Sequence, residues 1–194
     1  MGLGISLAAC APVPTRVAPA YVPEASVATI PGADRVEVSV EVNDLRADQY
    51  KVGSVTGAIS LAGDRHITST VDAKALVKSA VEKELASRGF QVNGGPVSVT
   101  IDLTEFNLEH VVTASWFKAD ESRAEVVMHV QVRGPNDANA YSRLISGRSG
   151  SSPGSDQEIL DSALKKAIVD LFHDPSFTAA IVTASGGRPG HGGT

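Results

Sequence analysis

Cysteine is almost missing from this chain of 194 residues, which has only Cys10. One cysteine excludes an intramolecular disulfide. Aromatic side chains are scarce, with three Tyr, five Phe and one Trp, and there are two Met. The core must therefore come from small and β-branched residues, which favours strands. No apolar run reaches the ~18 residues that a membrane-spanning helix needs. Grouped cations are missing as well. Lys and Arg number 17 against 22 Asp and Glu, for a formal charge of −5. A nucleic-acid surface, which displaces counterions with clustered Lys and Arg, has no footprint here. A polybasic membrane patch has none either. The length suits one domain plus tails. About 150 residues can bury roughly 70% of the surface the unfolded chain exposes, without metal or disulfide.

Motifs for chemistry are absent too. No pair among His66, His110, His129, His173 and His191 has the H-x-x-x-H spacing of a metal site. There is no G-x-S-x-G nucleophile elbow. Gly147-Arg148-Ser149-Gly150-Ser151 lacks the spacing and lysine of a phosphate loop and reads as a flexible connection. Asp102, Glu105, Asp120 and Glu121 read as solvated charges near strand ends; a glycosidase would need two of them facing each other across about 5–9 Å. The expectation is a protein without cofactor, metal or catalytic residue, and not an enzyme.

What is present begins with Leu7-Ala8-Ala9-Cys10. An apolar run, two small residues and the single cysteine have the pattern of a bacterial lipobox, with Cys10 as the lipidated residue carrying palmitate-type acyl chains. Residues 1–9 are then the signal segment. No Lys or Arg precedes Cys10, so the expectation is that the true start lies upstream and Met1 is internal. In the Gram-negative lipoproteins this start resembles, aspartate after the cysteine marks inner-membrane retention. Ala11 stands there, and the resemblance implies the outer membrane. Several acyl chains supply the stable attachment that one chain lacks. Residues 10–33 hold Pro12, Pro14, Pro19, Pro23 and Pro31 and read as a Pro/Ala-rich lipid-anchored tether without a packed element. Extended at ~3 Å per residue, it would lift the domain some tens of Å from the membrane.

The domain is placed at 34–184. Val36, Val38, Val40 and Val42 alternate with polar residues as a half-buried strand. Weaker strands are expected over 51–61 and 66–70. Asp72 caps a helix carrying Leu76, Val77, Ala80, Val81 and Leu85 on one face. Gly89 and Phe90 give it a Schellman stop. Alternation resumes over 97–108 and 124–132, the expected middle of an antiparallel sheet, followed by a strand over 141–148. Ser155 and Glu158 form a capping box before the best amphipathic stripe, Ile159 to Phe172. Asp174-Pro175 ends that helix and can start a short one. Residues 185–194 read as a disordered tail. The expected fold is α+β, an antiparallel sheet of about five strands with two amphipathic helices on one face.

The lipobox, the helix ending in Ser87-Arg88-Gly89-Phe90, the two long alternating strands and the closing Asp174 and Phe177 resemble the YajG-type bacterial lipoproteins over about residues 24–182. The resemblance implies an outer-membrane lipoprotein without an assigned activity. It also implies a fold like that of envelope accessory lipoproteins, including auxiliary subunits of lipid-transport systems. It carries over no catalytic residue. Trp116-Phe117, large aromatics between the long strands, read either as a lid on the core or as a partner anchor. The expected function is therefore an accessory or structural role in the envelope through protein–protein contacts, with the membrane and an envelope protein as partners. The alternative is a small carrier of lipid or peptidoglycan fragments, with space beside Ala80, Ala163 and Ala167.

Overall fold

A computed structural model describes residues 15–24, 26–57, 65–112, 121–136, 138–150 and 155–186. Two long strands form its axis. β6 (Val97–Val112) and β7 (Glu121–Arg133) pair antiparallel along their length. β6 buries Val97, Val99, Ile101 and Leu103, then Phe106 and Leu108. This phase change has a structural cause. Leu103 pairs with Met128 and Glu105 with Val127, so Thr104 is an extra residue, a β-bulge. The Thr104 hydroxyl donates to the Val127 carbonyl at 3.2 Å. β8 (Asn139–Ser149) adds antiparallel to β7.

The other edge of β6 is shared by two strands placed end to end. β2 (Glu37–Asp44) runs parallel to its first half and β3 (Lys51–Gly57) parallel to its second. Between them the chain leaves the sheet over 45–50. Arg46 closes this excursion. It donates to the Asp44 carboxylate at 2.8 and 2.6 Å and to the Gln49 and Lys51 carbonyls at 2.8 and 3.3 Å. Its guanidinium lies 5.6 Å from the Phe106 ring centre. Burial pushes the Asp44 carboxyl up, but hydrogen bonds and charge from Arg46 outweigh it and hold the group below the ordinary carboxylate value. β4 (Arg65–Ser69) is antiparallel to β3, β1 (Thr15–Val17) parallel to β4, and β5 (Gln91–Val92) parallel to β2.

Among the described residues the sheet is thus mixed and eight-stranded, not an antiparallel sheet of about five. Alternation reports which face a residue occupies. It carries no information on strand direction, so the parallel pairs of β6 escape it.

Three helices cover one face. In α1 (Ala73–Ser87) the Asp72 carboxylate accepts from the Lys74 and Ala75 N–H groups at 2.8 and 3.3 Å. The stop is a Schellman motif: Phe90 N–H donates to Leu85 C=O at 3.1 Å and Gly89 N–H to Ala86 C=O at 3.0 Å, with Gly89 at φ +97°. α2 (Asp156–His173) opens with the Ser155–Glu158 capping box. α3 (Pro175–Ala184) has Asp174 as cap and Pro175 in first position, so the α-helices among the described residues number three rather than two. Phe177 is fully buried and meets Phe172 and Tyr141 edge-on, with centroids 5.3 and 5.4 Å apart. α2 lies very close to the sheet at Gly147. A Cβ there would fall 2.1 Å from the Ala163 carbonyl oxygen and 2.4 Å from the Ala167 nitrogen. Ala163 and Ala167 are fully buried. Their small size serves this contact.

Two further expectations are corrected. The described part of the Pro/Ala-rich stretch is packed. Val17 and Tyr21 are buried, Ala20 N–H donates to Asp161 at 2.8 Å, and Ala33 is fully buried in a 3₁₀ turn over Ala33–Arg35. Proline removed donors from this stretch but left enough to add a strand to an existing edge. The polar run after the last strand also starts later than expected, since Gly147, Arg148 and Ser149 belong to β8.

Candidate functional site

Leu7, Ala8, Ala9, Cys10, Trp116 and Phe117 all lie outside the described residues. What the structure describes begins at the end of β6 and the start of β7. Here His110, Ser122 and Asp156 meet. His110 Nδ1 lies 2.9 Å from both Asp156 Oδ1 and Ser122 Oγ, and the Ser122 hydroxyl donates to the same Asp156 oxygen at 2.9 Å. In a hydrolytic triad the serine uses one imidazole nitrogen and the aspartate the other. In this cluster both converge on Nδ1, and the serine proton goes to the carboxylate. The geometry is that of a clasp joining the ends of β6 and β7 to the first turn of α2, where a carboxylate also suits the helix dipole. Its members are 12, 34 and 46 positions apart, so no local pattern betrays them.

A second cluster is buried under the helices. Glu84 and Arg88, with 2% and 7% of their surface exposed, form an ion pair one helical turn apart. Arg88 also donates to the Glu84 carbonyl at 3.0 Å and lies 4.3 Å from the Phe172 ring centre. The Tyr21 hydroxyl donates to Glu84 at 2.6 Å. Burial, then the bond to Glu84 and its charge, raise the Tyr21 phenol well above its ordinary value. The arrangement ties the segment before β2 to α1 and α2. A signal for it exists in the sequence, because Glu84 falls on the buried stripe with Val77, Ala80 and Val81.

Opposite the helices, among the described residues, the sheet carries no helix, and its side chains form a polar chain across four strands. Asn43 donates to Asp102 at 2.9 Å, and Asp102 lies 3.9 Å from His129. His129 Nε2 is 2.9 Å from the Ser142 hydroxyl, and Gln131 bridges toward Arg133, which donates to it at 3.1 Å. Near the far end Arg148 pairs with Glu125 at 2.6 Å and Arg123 with Glu121 at 3.3 Å. A shallow recess of about 300 Å³ lies there, lined by Asn107, Glu109, Arg123, Glu125 and Arg148. Leu144, 64% exposed, is the one large, exposed apolar side chain on a strand among the described residues. Among the described residues no group of three His, Cys, Asp or Glu side chains could hold a metal, and no helix is long and apolar enough to cross a membrane.

At the far corner, Asp174 links the helix layer to β8. Its carboxylate accepts from Tyr141 at 3.0 Å, Arg143 at 2.6 Å and the Ser176 N–H at 2.9 Å. Burial pushes this carboxyl up, but those bonds outweigh it and hold the group below the ordinary value. Burial, then the bond to Asp174 and its charge, push the Tyr141 phenol up to about 12.

A family model described as "Uncharacterized lipoprotein" matches residues 23–182. The chain belongs to that lipoprotein family. No curated protein matches it. A crystal structure from Xanthomonas campestris, of the family DUF330, is similar at 13% identity and a TM-score of 0.53, covering 88% of this chain and 95% of that one. It shares the fold. A minor lipoprotein from Acinetobacter baumannii is more distant, at 10% identity and a TM-score of 0.37 over 68% of this chain and 93% of that one.

Proposed function

We propose that this chain is a YajG-type lipoprotein anchored through Cys10 to the outer membrane of a Gram-negative bacterium, facing the periplasm. Its role there is non-enzymatic, holding another envelope protein. The observation that carries this reading is the open sheet face. One side of the sheet is sealed by three helices. The other presents an ordered polar lattice from Asn43 to Ser142, bordered by exposed Leu144. Polar groups already held in place lose little freedom when a partner adds its own hydrogen bonds. Membership of a lipoprotein family and the Leu7-Ala8-Ala9-Cys10 start support the anchor. Ala11 supports the outer membrane. Trp116 and Phe117, which follow β6 in sequence, are the second contact we assign to the partner.

Two measurements test this. Cys10→Ser should move the protein from the membrane fraction to the soluble periplasm, and a variant that stays with the outer membrane refutes the anchor. Photo-cross-linkers at Thr100, Gln131 and Ser146 on the open face, with Lys165 on α2 as control, should trap one envelope protein from living cells. Trp116→Ala should weaken that adduct without changing the circular dichroism of the purified protein. Recovery of lipid or peptidoglycan fragments alone would make the protein a carrier and overturn the reading.

A further inference from the structure

β8 is the last strand of its side of the sheet. Among the described residues its only strand neighbour is β7. It is eleven residues long, contains neither Pro nor Lys, and carries its β-bulge at the Asn139–Tyr141 end, away from its centre. It does contain Arg143 and Arg148, but both turn to their own chain, one to Asp174 and the other to Glu125.

The direction of its peptide groups can be read from one contact. Lys166 Nζ donates to the Arg148 carbonyl at 3.0 Å, so that carbonyl points away from β7. A strand turns the N–H and C=O of alternate residues to the same edge. Ser142, Leu144 and Ser146 therefore turn theirs outward with Arg148; at Ala140 a β-bulge breaks the alternation, since Val132 pairs with Tyr141 but Arg133 with Asn139. Thr104 confirms this parity from the other side. It donates to the Val127 carbonyl, which faces β6, and Val127 is opposite Ser146.

We propose that β8 pairs antiparallel with β8 of a second copy, centred on Leu144, joining two sheets into one. The strand is complementary to itself in that register. Leu144 meets Leu144 of the other copy, Ser142 meets Ser146, Arg143 meets Ile145, and Tyr141 meets Gly147. The regular ladder runs from Tyr141 to Gly147, and no two like charges face each other in it. Centring on Arg143 instead would oppose two guanidinium groups. Centring on Ser142 would shorten the ladder, and centring on Ser146 would leave Leu144 opposite Arg148. The chosen register is the one that covers the exposed leucine with its own kind. It gives an isologous two-fold contact, the commonest symmetry of homo-oligomers. This pairing is independent of any envelope protein bound to the open face.

The test uses the full chain with Cys10→Ser, which removes the native thiol. Sedimentation equilibrium should show a monomer–dimer equilibrium. Leu144→Lys sets two ammonium groups face to face and should raise the dimer Kd at least ~tenfold. Ser142→Pro removes an outward N–H while sparing the β7–β8 ladder, and should do the same with an unchanged far-ultraviolet spectrum. Under mild oxidation Leu144→Cys should form an intermolecular disulfide, because directly opposed Cα atoms sit about 5.5 Å apart. Ser142→Cys alone should not, since it faces Ser146. A chain that sediments as a monomer throughout overturns the proposal. So does a dimer that tolerates Leu144→Lys, or one that links equally well through both cysteines. Loss of the cross-linked envelope protein would leave these outcomes untouched.

Discussion

Replacing Arg88 by leucine removes one half of a buried ion pair and leaves the other. Glu84 would keep only the Tyr21 hydroxyl and stay enclosed, since just 2% of its surface reaches solvent. Removing one partner of such a pair costs about 3–5 kcal/mol, because the remaining charge is desolvated without compensation. The guanidinium stacked on Phe172 is lost as well. For a domain of this size that loss lowers Tm by on the order of 10 °C. Urea unfolding followed by circular dichroism measures it directly, with the slope checked for two-state behaviour.

The control is to remove the remaining polar partners. Glu84→Leu with Arg88→Leu takes out both charges but orphans the Tyr21 hydroxyl, so Tyr21→Phe completes the set. The triple variant should recover all but ~1–2 kcal/mol, because apolar replacement of a whole buried network is close to neutral. Two results would refute the reasoning. One is an Arg88→Leu variant within about 1 kcal/mol of the parent, which would mean that Glu84 reaches water. The other is a triple variant as unstable as the single one, which would make packing, not charge, the source of the loss.

Three further outcomes are expected. Gly147→Ala should cost about 1–3 kcal/mol, because its Cβ overlaps helix backbone that cannot rotate away; a neutral variant in urea titration would show that α2 shifts freely. At the acid end, the depressed Asp44 and Asp174 carboxyls give stability that is complete above the unfolded value of about 3.9 and is lost as pH falls through their lower folded values. Asp161, raised by burial, acts in the opposite sense; Asp44→Asn should flatten the fall in urea midpoint, and an unchanged slope would refute the role of Arg46. At the alkaline end, Tyr141 is raised to about 12, so its contribution is complete below the unfolded value near 10 and declines as pH rises toward 12. Tyr141→Phe should remove that decline from the midpoint-versus-pH curve, and a parallel curve would sink the assignment.

Local chemistry was legible in the chain and partnership was not. The caps at Asp72, Ser155 and Asp174 and the stop at Gly89 each depend on residues within a turn of one another, and each stands where the sequence puts it. The bulge at Thr104 could be read from the apolar positions jumping from Leu103 to Phe106. Strand direction could not, because Val38 and Val97 alternate identically whether their strands run together or opposed. The His110–Ser122–Asp156 clasp was hidden for a related reason: three elements far apart in sequence supply one residue each. Thr15–Val17 looked like linker because its strand character comes wholly from the β4 edge it joins. Arg88 was visible only as part of a helix stop, and its partner Glu84 gave no sign beyond being a charge on an apolar stripe.

The packing of that early segment bears on how the domain sits at a membrane. If Cys10 carries the anchor, as proposed, five residue steps separate it from β1. They span at most about 18 Å, much less than an extended tether up to Ala33 would give. β1 is therefore the strand nearest the anchor. β8 lies five strand spacings away through β4, β3, β6 and β7, about 24 Å across the sheet. Two copies joined at β8 place their anchors at opposite ends of one sheet, roughly 50 Å apart. The two-fold axis of an antiparallel strand pair stands perpendicular to the sheet. The two copies meet one membrane in equivalent ways when that axis follows the membrane normal. The joined sheet then lies along the membrane, with one layer toward the lipid and the other toward the periplasm. An open face that binds an envelope protein must be the outward one, which puts α1, α2 and α3 on the membrane side. In anchored vesicles, lysine-reactive labelling of Lys165 on α2 should therefore be slower than in the Cys10→Ser protein, while labelling of Lys51 in β3 stays closer to its free rate. Equal protection of both lysines would refute this orientation.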